Sequence, residues 1–247
     1  MTLLAAALVG IGVGFLSGLF GKGGSAVATP LLHAAGIPAI VAVAAPLPAA
    51  IPSTLAAGYA YSKDDWISWR VVRWSLVVGI PATVVGALAS RWVGGERLVV
   101  ATDVLLVALG VRFALAGRKR PTRRGDAPRL GAPRLAAVAL AVGLVSGLLA
   151  NSGGFLLGPL YLAVLRLPIK SAFASSLAVA AVLAVPGTVV HAALGHIDWS
   201  IVAVFASTSV PLSFVGARLA LRSDPERLER GYGMVLAVLG VAFLTVG

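Results

Sequence analysis

One glycine-rich pattern occurs twice in this chain, and its recurrence limits the possible folds more than any other feature. In the first copy, small residues four apart, Gly14 and Gly18, lie in an apolar segment. The segment runs into Gly21-Lys22-Gly23-Gly24-Ser25, a short apolar run and Pro30. In the second copy, Gly143 and Gly147 lead into Asn151-Ser152-Gly153-Gly154, another short apolar run and Pro159. Gly14 to Gly143, Gly18 to Gly147 and Pro30 to Pro159 share an offset of 129 (143 − 14). The spacing predicts two copies of one unit, each interrupted at the same place. In membrane transporters, paired interruptions of this kind mark the binding site.

The interruptions lie in a chain that is 59% hydrophobic and only 12% charged, against roughly 25% charge in average soluble domains. Apolar runs of about twenty residues recur from end to end, so the expected fold is an all-α polytopic membrane protein. A transmembrane β-barrel would show short alternating strands, and the sequence has none. The formal net charge is +11. Most of that charge lies in short loops, which fits a basic cytoplasmic surface and not a nucleic-acid partner. There are no cysteines, which excludes disulfides and thiolate metal sites. The first segment lacks the basic start of a signal peptide, and its pattern recurs at 135–150, so it is read as a membrane helix.

The apolar segments of repeat 1 (1–116) are expected at 2–20, 24–36, 39–61, 70–92 and 98–116. A basic cytoplasmic linker follows at 117–133, carrying Arg118, Lys119, Arg120, Arg123, Arg124 and Arg129. Repeat 2 (134–247) has segments at 134–150, 153–165, 170–194, 199–221 and 230–247. These are about ten hydrophobic segments: eight full spans plus two short or re-entrant helices that follow the breaks at 21–25 and 151–154. At about 13 residues the short segments would rise only ~20 Å as helices, less than a ~30 Å hydrocarbon core. If they re-enter, the halves are parallel; if they cross, the halves are inverted. Inverted halves put nearly all Lys and Arg on the linker side and leave Arg91 and Arg97 opposite, so the positive-inside rule favours them, with both termini outside. Pro46, Pro48, Pro52, Pro81, Pro186 and Pro211 fall within the long segments and predict kinked or broken helices.

The breaks are also the expected ligand site. A helix beginning at Gly23 or Gly24 points unpaired amides and a partial positive charge into the break, which suits an anion. Lys22 adds a charge and Ser25 a hydroxyl. Asn151, Ser152, Gly153 and Gly154 supply neutral donors and a second helix start. The bland alternatives are that the glycines only permit close helix crossing and that Lys22 reaches the interface. Ser175 and Ser176, and similarly Ser53 and Thr54, are candidates to line a cavity, although such hydroxyls often bond their own helix. Asp103 is a candidate for proton coupling or ion pairing. His33 and His191 read as isolated, and three scattered histidines without clustered carboxylates predict no metal site, and no cofactor is expected. Asp65-Trp66 and Asp198-Trp199 read as helix N-caps with interfacial Trp anchors. Gly21-Lys22 lacks the spacing of a phosphate-binding loop, and Gly10, Gly12 and Gly14 follow no strand. No nucleophile, base and orienting group stand together, so catalysis is not expected.

Taken in order, these residues resemble the TauE/SafE family, the sulfite-exporter-like (TSUP) membrane transporters. Gly14-x-x-x-Gly18, Gly21-Lys22-Gly23-Gly24 and Pro30-Leu31-Leu32 resemble its first signature. Gly143 through Gly153-Gly154 and Pro159-Leu160 resemble the repeat, and Ala174-Ser175-Ser176-Leu177 resembles the small-Ser-Leu run of the next helix. Three positions depart from that pattern: Ser25 replaces a glycine, Lys22 stands where an apolar residue is common, and Ala45-Pro46-Leu47 replaces the first small-Ser-Leu run. The resemblance implies a secondary transporter in the bacterial inner membrane for a sulfur-containing anion such as sulfite, thiosulfate or an organosulfonate. It would work by alternating access, with H+ or Na+ as candidate coupling ion. A same-fold carrier of a non-sulfur anion such as a carboxylate is the alternative, and a non-transporting membrane assembly partner is the second.

Overall fold

The structure is a computed structural model, and it describes residues 2–22, 27–94, 96–98, 100–101, 104, 108, 131–149 and 154–246. The described chain is almost entirely helical. Helix α1 is Thr2–Leu19, followed by a three-residue extended piece, Phe20–Lys22. Helix α2 is Ala28–Ala34, α3 is Ala39–Ala44, α4 is Pro46–Ser62 and α5 is Trp69–Ala89, which ends in a 3-10 turn over Ser90–Trp92. In the second half α6 is Ala132–Leu148, α7 is Gly154–Ala163, α8 is Ile169–Ala193, α9 is Trp199–Arg222 and α10 is Pro225–Val246. Among the described residues, five helical stretches are long and apolar enough to cross a membrane: Thr2–Leu19, Ala39–Ser62, Trp69–Trp92, Ile169–Ala193 and Trp199–Arg222.

The segment expected at 39–61 is one helical stretch, Ala39–Ser62. Pro46 has no N–H to return to the Ala42 carbonyl, which divides the stretch into α3 and α4, but Ala45 between them keeps helical angles (φ −60°, ψ −36°) and the helix continues. The matching segment, α8, likewise runs on through Pro186. The short segments are shorter than expected: α2 has 7 residues and α7 has 10, or roughly 10 and 15 Å of rise. The expected helix start at Gly23 or Gly24 lies outside the described residues, and the described helix begins at Ala28. Most of the expected segment 98–116, including Asp103, and the linker 117–133 also lie outside them.

The outer helix α1 is inverted relative to a helix of a water-soluble bundle. The buried stripe of α1 is Ala6, Gly10, Val13, Gly14, Ser17 and Gly18, small residues at helical spacing. Its outward side carries Leu3, Leu4, Leu8 and Ile11, with Leu4 67% exposed; Val77 on α5 is 72% exposed. Large apolar residues facing out and small ones facing in is the distribution expected where lipid surrounds the helices and close backbone approach drives association.

Two helix pairs make the closest approaches, and they correspond residue by residue. On α1, a Cβ at Gly14 would strike the Ser209 backbone and one at Gly18 the Ser213 and Ala217 backbone of α9. A Cβ at Gly216 would strike Phe15 and Leu19 in return. On α6, Gly143 meets Gly79 and Ala82 of α5, and Gly147 meets Thr83 and Ala87. Gly86 meets Leu144 and Leu148. Apart from the approach of Gly143 to Ala82, each contact of one pair maps onto the other by an offset of 129 or 130. Contact positions rise together along both helices, so α1 runs parallel to α9 and α5 parallel to α6. Each half thus lends its first long helix to the other half.

Helices α4 and α8 form the inner pair. Their stretches Ala39–Ser62 and Ile169–Ala193 are each 61% buried, against 33% for α1. Gly187 of α8 lies against Leu47 and Gly58 of α4 against Leu177. One index falls as the other rises, so these two helices are antiparallel. At one end of the molecule Lys170 Nζ donates to the Leu221 carbonyl at 2.9 Å and lies over the Trp66 ring, which gathers three helix junctions there. His33 lies 3.5 Å from Glu96 and joins two other junctions.

Asp198 caps α9 as expected, accepting from the Ser200 and Ile201 amides at 2.9 and 3.2 Å. Asp65 does not play the matching role. The N-cap of α5 is Ser68, and Asp65 stands three residues earlier in a left-handed turn with φ 58°. The counterpart of Asp65 is Gly195, φ 71°, so the shared feature is the turn and not the cap.

Candidate substrate and ion sites

The first break is anchored where the chain leaves α1. Gly21 has φ 64° and sits so close to α8 that an added Cβ would lie 2.8 Å from both Phe173 Cα and Ser176 Oγ. Glycine is required here by both backbone angle and space. The rings of Phe20, Phe173 and Tyr232 meet edge-on or tilted around the same point, with centroids 5.3 to 6.4 Å apart. The chain before Lys22 is therefore clamped between α8 and α10.

The expected site residues separate into three groups. Ser176 is brought to the first break, and its hydroxyl also donates to the Phe173 carbonyl at 2.8 Å. Ser175 is turned to the neighbouring junction, where its Oγ accepts from the Ser68 amide at 2.9 Å. Of the rest, Lys22 is described by its backbone only and Gly154 opens α7, while Gly23, Gly24, Ser25, Asn151, Ser152 and Gly153 lie outside the described residues. Thr54 donates to its own helix, at 2.6 Å from the Ala50 carbonyl.

Ser53 belongs to a feature the sequence did not reveal. A small cavity lies between α1, α4 and α9, lined by Val13, Gly14, Ser17, Pro46, Ala50, Ser53, Phe205 and Ser209. Its free space is about 10 Å³, room for roughly one water. Ser53 Oγ lies 2.8 Å from the Ala49 carbonyl and 3.0 Å from Ser209 Oγ. Ser213 Oγ donates to the Ser53 carbonyl at 2.8 Å. Ser17 Oγ, on a side chain only 3% exposed, has no hydrogen-bond partner. The signal in the sequence was a hydroxyl inside a small-residue stripe, Gly14-x-x-Ser17-Gly18, read there only as close-packing glycine.

In the other half the corresponding place is filled. The counterparts of Ser53 and Ser209 are Leu183 and Gly79, and the Leu183 side chain lies 3.4 Å from where a Gly79 Cβ would be. One turn away Ser75 and Tyr161 close a hydrogen bond of 2.6 Å, where their counterparts are Phe205 and Leu32.

The histidines are not all isolated. Buried His191 lies 3.0 Å from His196, Nδ1 to Nδ1, and its Nε2 lies 3.3 Å from the Gly147 carbonyl. His196, in the turn before α9, has its pKa lowered by burial. Among the described residues, no group of three His, Asp or Glu could hold a metal ion.

Comparison with known proteins places this architecture. A probable membrane transporter protein of Xylella fastidiosa (strain 9a5c) is 26% identical over 234 residues, covering 93% of this chain and 90% of the relative. Probable membrane transporter protein YjnA of Bacillus subtilis is 25% identical, covering 96% and 98%. Probable membrane transporter protein MamO of Magnetospirillum gryphiswaldense is 32% identical over 142 residues, covering 54% of this chain and 22% of that protein. No solved structure matches the chain. The family profile described as sulfite exporter TauE/SafE matches residues 6–243, and the chain belongs to this family of multi-pass membrane transporters.

Proposed function

We propose that this protein is a secondary transporter of a small sulfur-containing anion, such as sulfite, thiosulfate or an organosulfonate. It works by alternating access, without catalysis or cofactor. The family supports the substrate class. The observation that carries the mechanism is the antiparallel register of α4 and α8, Leu47 against Gly187 and Gly58 against Leu177. Corresponding helices that run in opposite directions are what inverted repeats produce, and inverted repeats let one half rock against the other around a fixed site. On this reading repeat 1 spans 1–116 and repeat 2 spans 134–247, and the eight full spans and two short helices form five-plus-five halves with the basic linker 117–133 in the cytoplasm.

The anion is held at the paired breaks by Lys22, Gly23, Gly24 and Ser25 from one half and Asn151, Ser152, Gly153 and Gly154 from the other. Ser176 lines the first of them, and Ser175 fixes the junction beside it. A coupling ion, H+ or Na+, drives the cycle, with Asp103 a candidate proton carrier.

Uptake of labelled sulfite into proteoliposomes tests the substrate class. Unlabelled thiosulfate, taurine and sulfoacetate should compete, and acetate and chloride should not. Equal competition by acetate would transfer the same fold to a carboxylate.

A further inference from the structure

We propose that the His191–His196 pair is the proton-binding site of the transport cycle, and that its proton and the transported anion are taken up together. This assignment rests on the transport reading above and adds to it the coupling ion and the group that carries it. The pair stands where α8 ends. Fully buried His191 reaches the last turn of α6, its Nε2 3.3 Å from the Gly147 carbonyl. A carbonyl can only accept, so Nε2 carries the hydrogen, and Nδ1 of the neutral ring is an acceptor. His196 Nδ1 must then donate to it across 3.0 Å, which leaves His196 Nε2 with an open lone pair. The hydrogen bonds therefore all point one way, from His196 through His191 to Gly147. A proton arriving at His196 Nε2 is taken up without breaking any of them. The hydrogen on His196 Nδ1 can then shift to His191 Nδ1, so that the charge moves to the buried ring and His196 is neutral again.

Chain geometry ties this charge to the second break. Gly147 is four residues before Asn151, so even a fully extended chain keeps Asn151 within ~14 Å of it. A charge on buried His191 is costly, and an anion at the break offsets that cost. By linkage, the proton strengthens anion binding by the same factor as the anion strengthens proton binding. No other charge stands in for the anion. On α8 itself the next charge is Lys170, at the opposite end. On α6 it is Arg134, 13 residues from Gly147 and about 20 Å along the helix. Antiparallel α4 has Lys63 at its far end, α7 has no charge, and α10 carries its charges in its first turns, just after the far end of α9. The extended piece Phe20–Lys22 meets α8 at Phe173, also toward the far end. At the pair's own end, Arg91 closes α5 over the exposed Trp92 ring, and Asp198 opens α9 with Oδ1 held by the Ser200 and Ile201 amides. Among the described residues neither ring is ion-paired with a carboxylate.

The arrangement belongs to one half. By the offset of 130, Tyr61 stands for His191 and Trp66 for His196. Neither a phenol nor an indole takes up a proton near neutral pH, and the buried Tyr61 hydroxyl has no hydrogen-bond partner. One proton therefore accompanies each anion. Helix α6 begins beside the basic linker and reaches Gly147 near its other end, so the pair lies away from the linker, on the outer side in the reading above. Burial lowers the pKa of half-buried His196, so without an anion the pair stays neutral near pH 7 and carries no proton across alone.

The test is equilibrium binding of labelled thiosulfate to the purified full chain in detergent, from about pH 5.5 to 8 across the histidine range, with proton uptake followed in weak buffer. Thiosulfate stays a dianion over this range, whereas sulfite itself takes up a proton. Above about pH 6.5 the wild-type Kd should rise about tenfold per pH unit, the slope for one linked proton, and each anion should bring about one proton with it. His191→Gln and His196→Gln keep a polar side chain that cannot be protonated, so their Kd should be level with pH and proton uptake absent. His196→Gln changes a half-buried turn residue and guards against misfolding at buried His191. A level wild-type Kd, or an unchanged slope in both variants, would overturn the proposal. Nitrogen-15 NMR of the histidine rings without anion separates this outcome from failure of the transport reading. Two rings that share one proton, in a protein that binds neither thiosulfate nor sulfite, would uphold the proton site and remove the anion. Rings that titrate independently would overturn the site itself.

Discussion

At the scale of single residues the fold rests on positions where a side chain has no room. Gly18 meets the Ser213 backbone and Gly147 the Thr83 backbone so closely that any Cβ forces the helices apart. Gly18→Ala should lower unfolding stability by about 1–3 kcal/mol, the usual cost of overpacking. Gly12→Ala, on the same helix with open space around it, should cost nothing. Thermal unfolding of the pair in one detergent decides this. Arg166 holds φ 52° in a turn whose counterpart is Gly36 at φ 84°. Arg166→Gly should therefore be neutral or stabilise by up to ~1 kcal/mol, because relief of left-handed strain outweighs the added freedom of the unfolded chain. The burial of His196 has a pH consequence. A histidine whose folded pKa lies below its unfolded value of 6.5 binds fewer protons folded than unfolded, so stability should fall as pH drops through about 6.5. His196→Gln should flatten that part of the stability profile.

At the scale of elements, glycine spacing and hydropathy made the helices readable. The stretch expected at 199–221 is Trp199–Arg222, and that at 170–194 is Ile169–Ala193. Boundaries written in apolar periodicity and proline are local and survive without tertiary knowledge. The hydrogen bond lost at Pro46 was readable, because a missing N–H acts locally. The extended piece Phe20–Lys22 was not, because it depends on Phe173 and Tyr232 from distant helices. Asp65 was misassigned for a related reason: Asp serves equally at a cap or in a left-handed turn, and only the backbone decides which. The antiparallel inner pair gives a direct test, since the chain has no cysteine of its own. Gly58→Cys with Leu177→Cys, and Leu47→Cys with Gly187→Cys, should crosslink across a chain nicked within 117–133. The pair Leu47→Cys with Leu177→Cys should not, and crosslinking there would reverse the register.

At the scale of the whole molecule, the two halves exchange their first long helices, α1 against α9 and α6 against α5. A face of small residues in each helix identified an interface from sequence but not its partner, because any close-packing face would serve. The cavity was invisible for the same reason: Ser17, Ser53 and Ser209 are far apart in the chain, and each alone reads as a hydroxyl bonding its own helix. The break residues were legible as a pattern.

The central claim is that the paired breaks hold an anion, and the most direct measurement is sulfite uptake into proteoliposomes by Lys22→Gln beside the wild type. A charge-assisted contact to the substrate contributes about 1.5–3 kcal/mol. The account therefore predicts a KM for sulfite raised roughly 10- to 100-fold, with the variant folded and inserted as the wild type is. Uptake with unchanged KM would mean that Lys22 does not meet the substrate, and the anion site would have to be sought away from the first break.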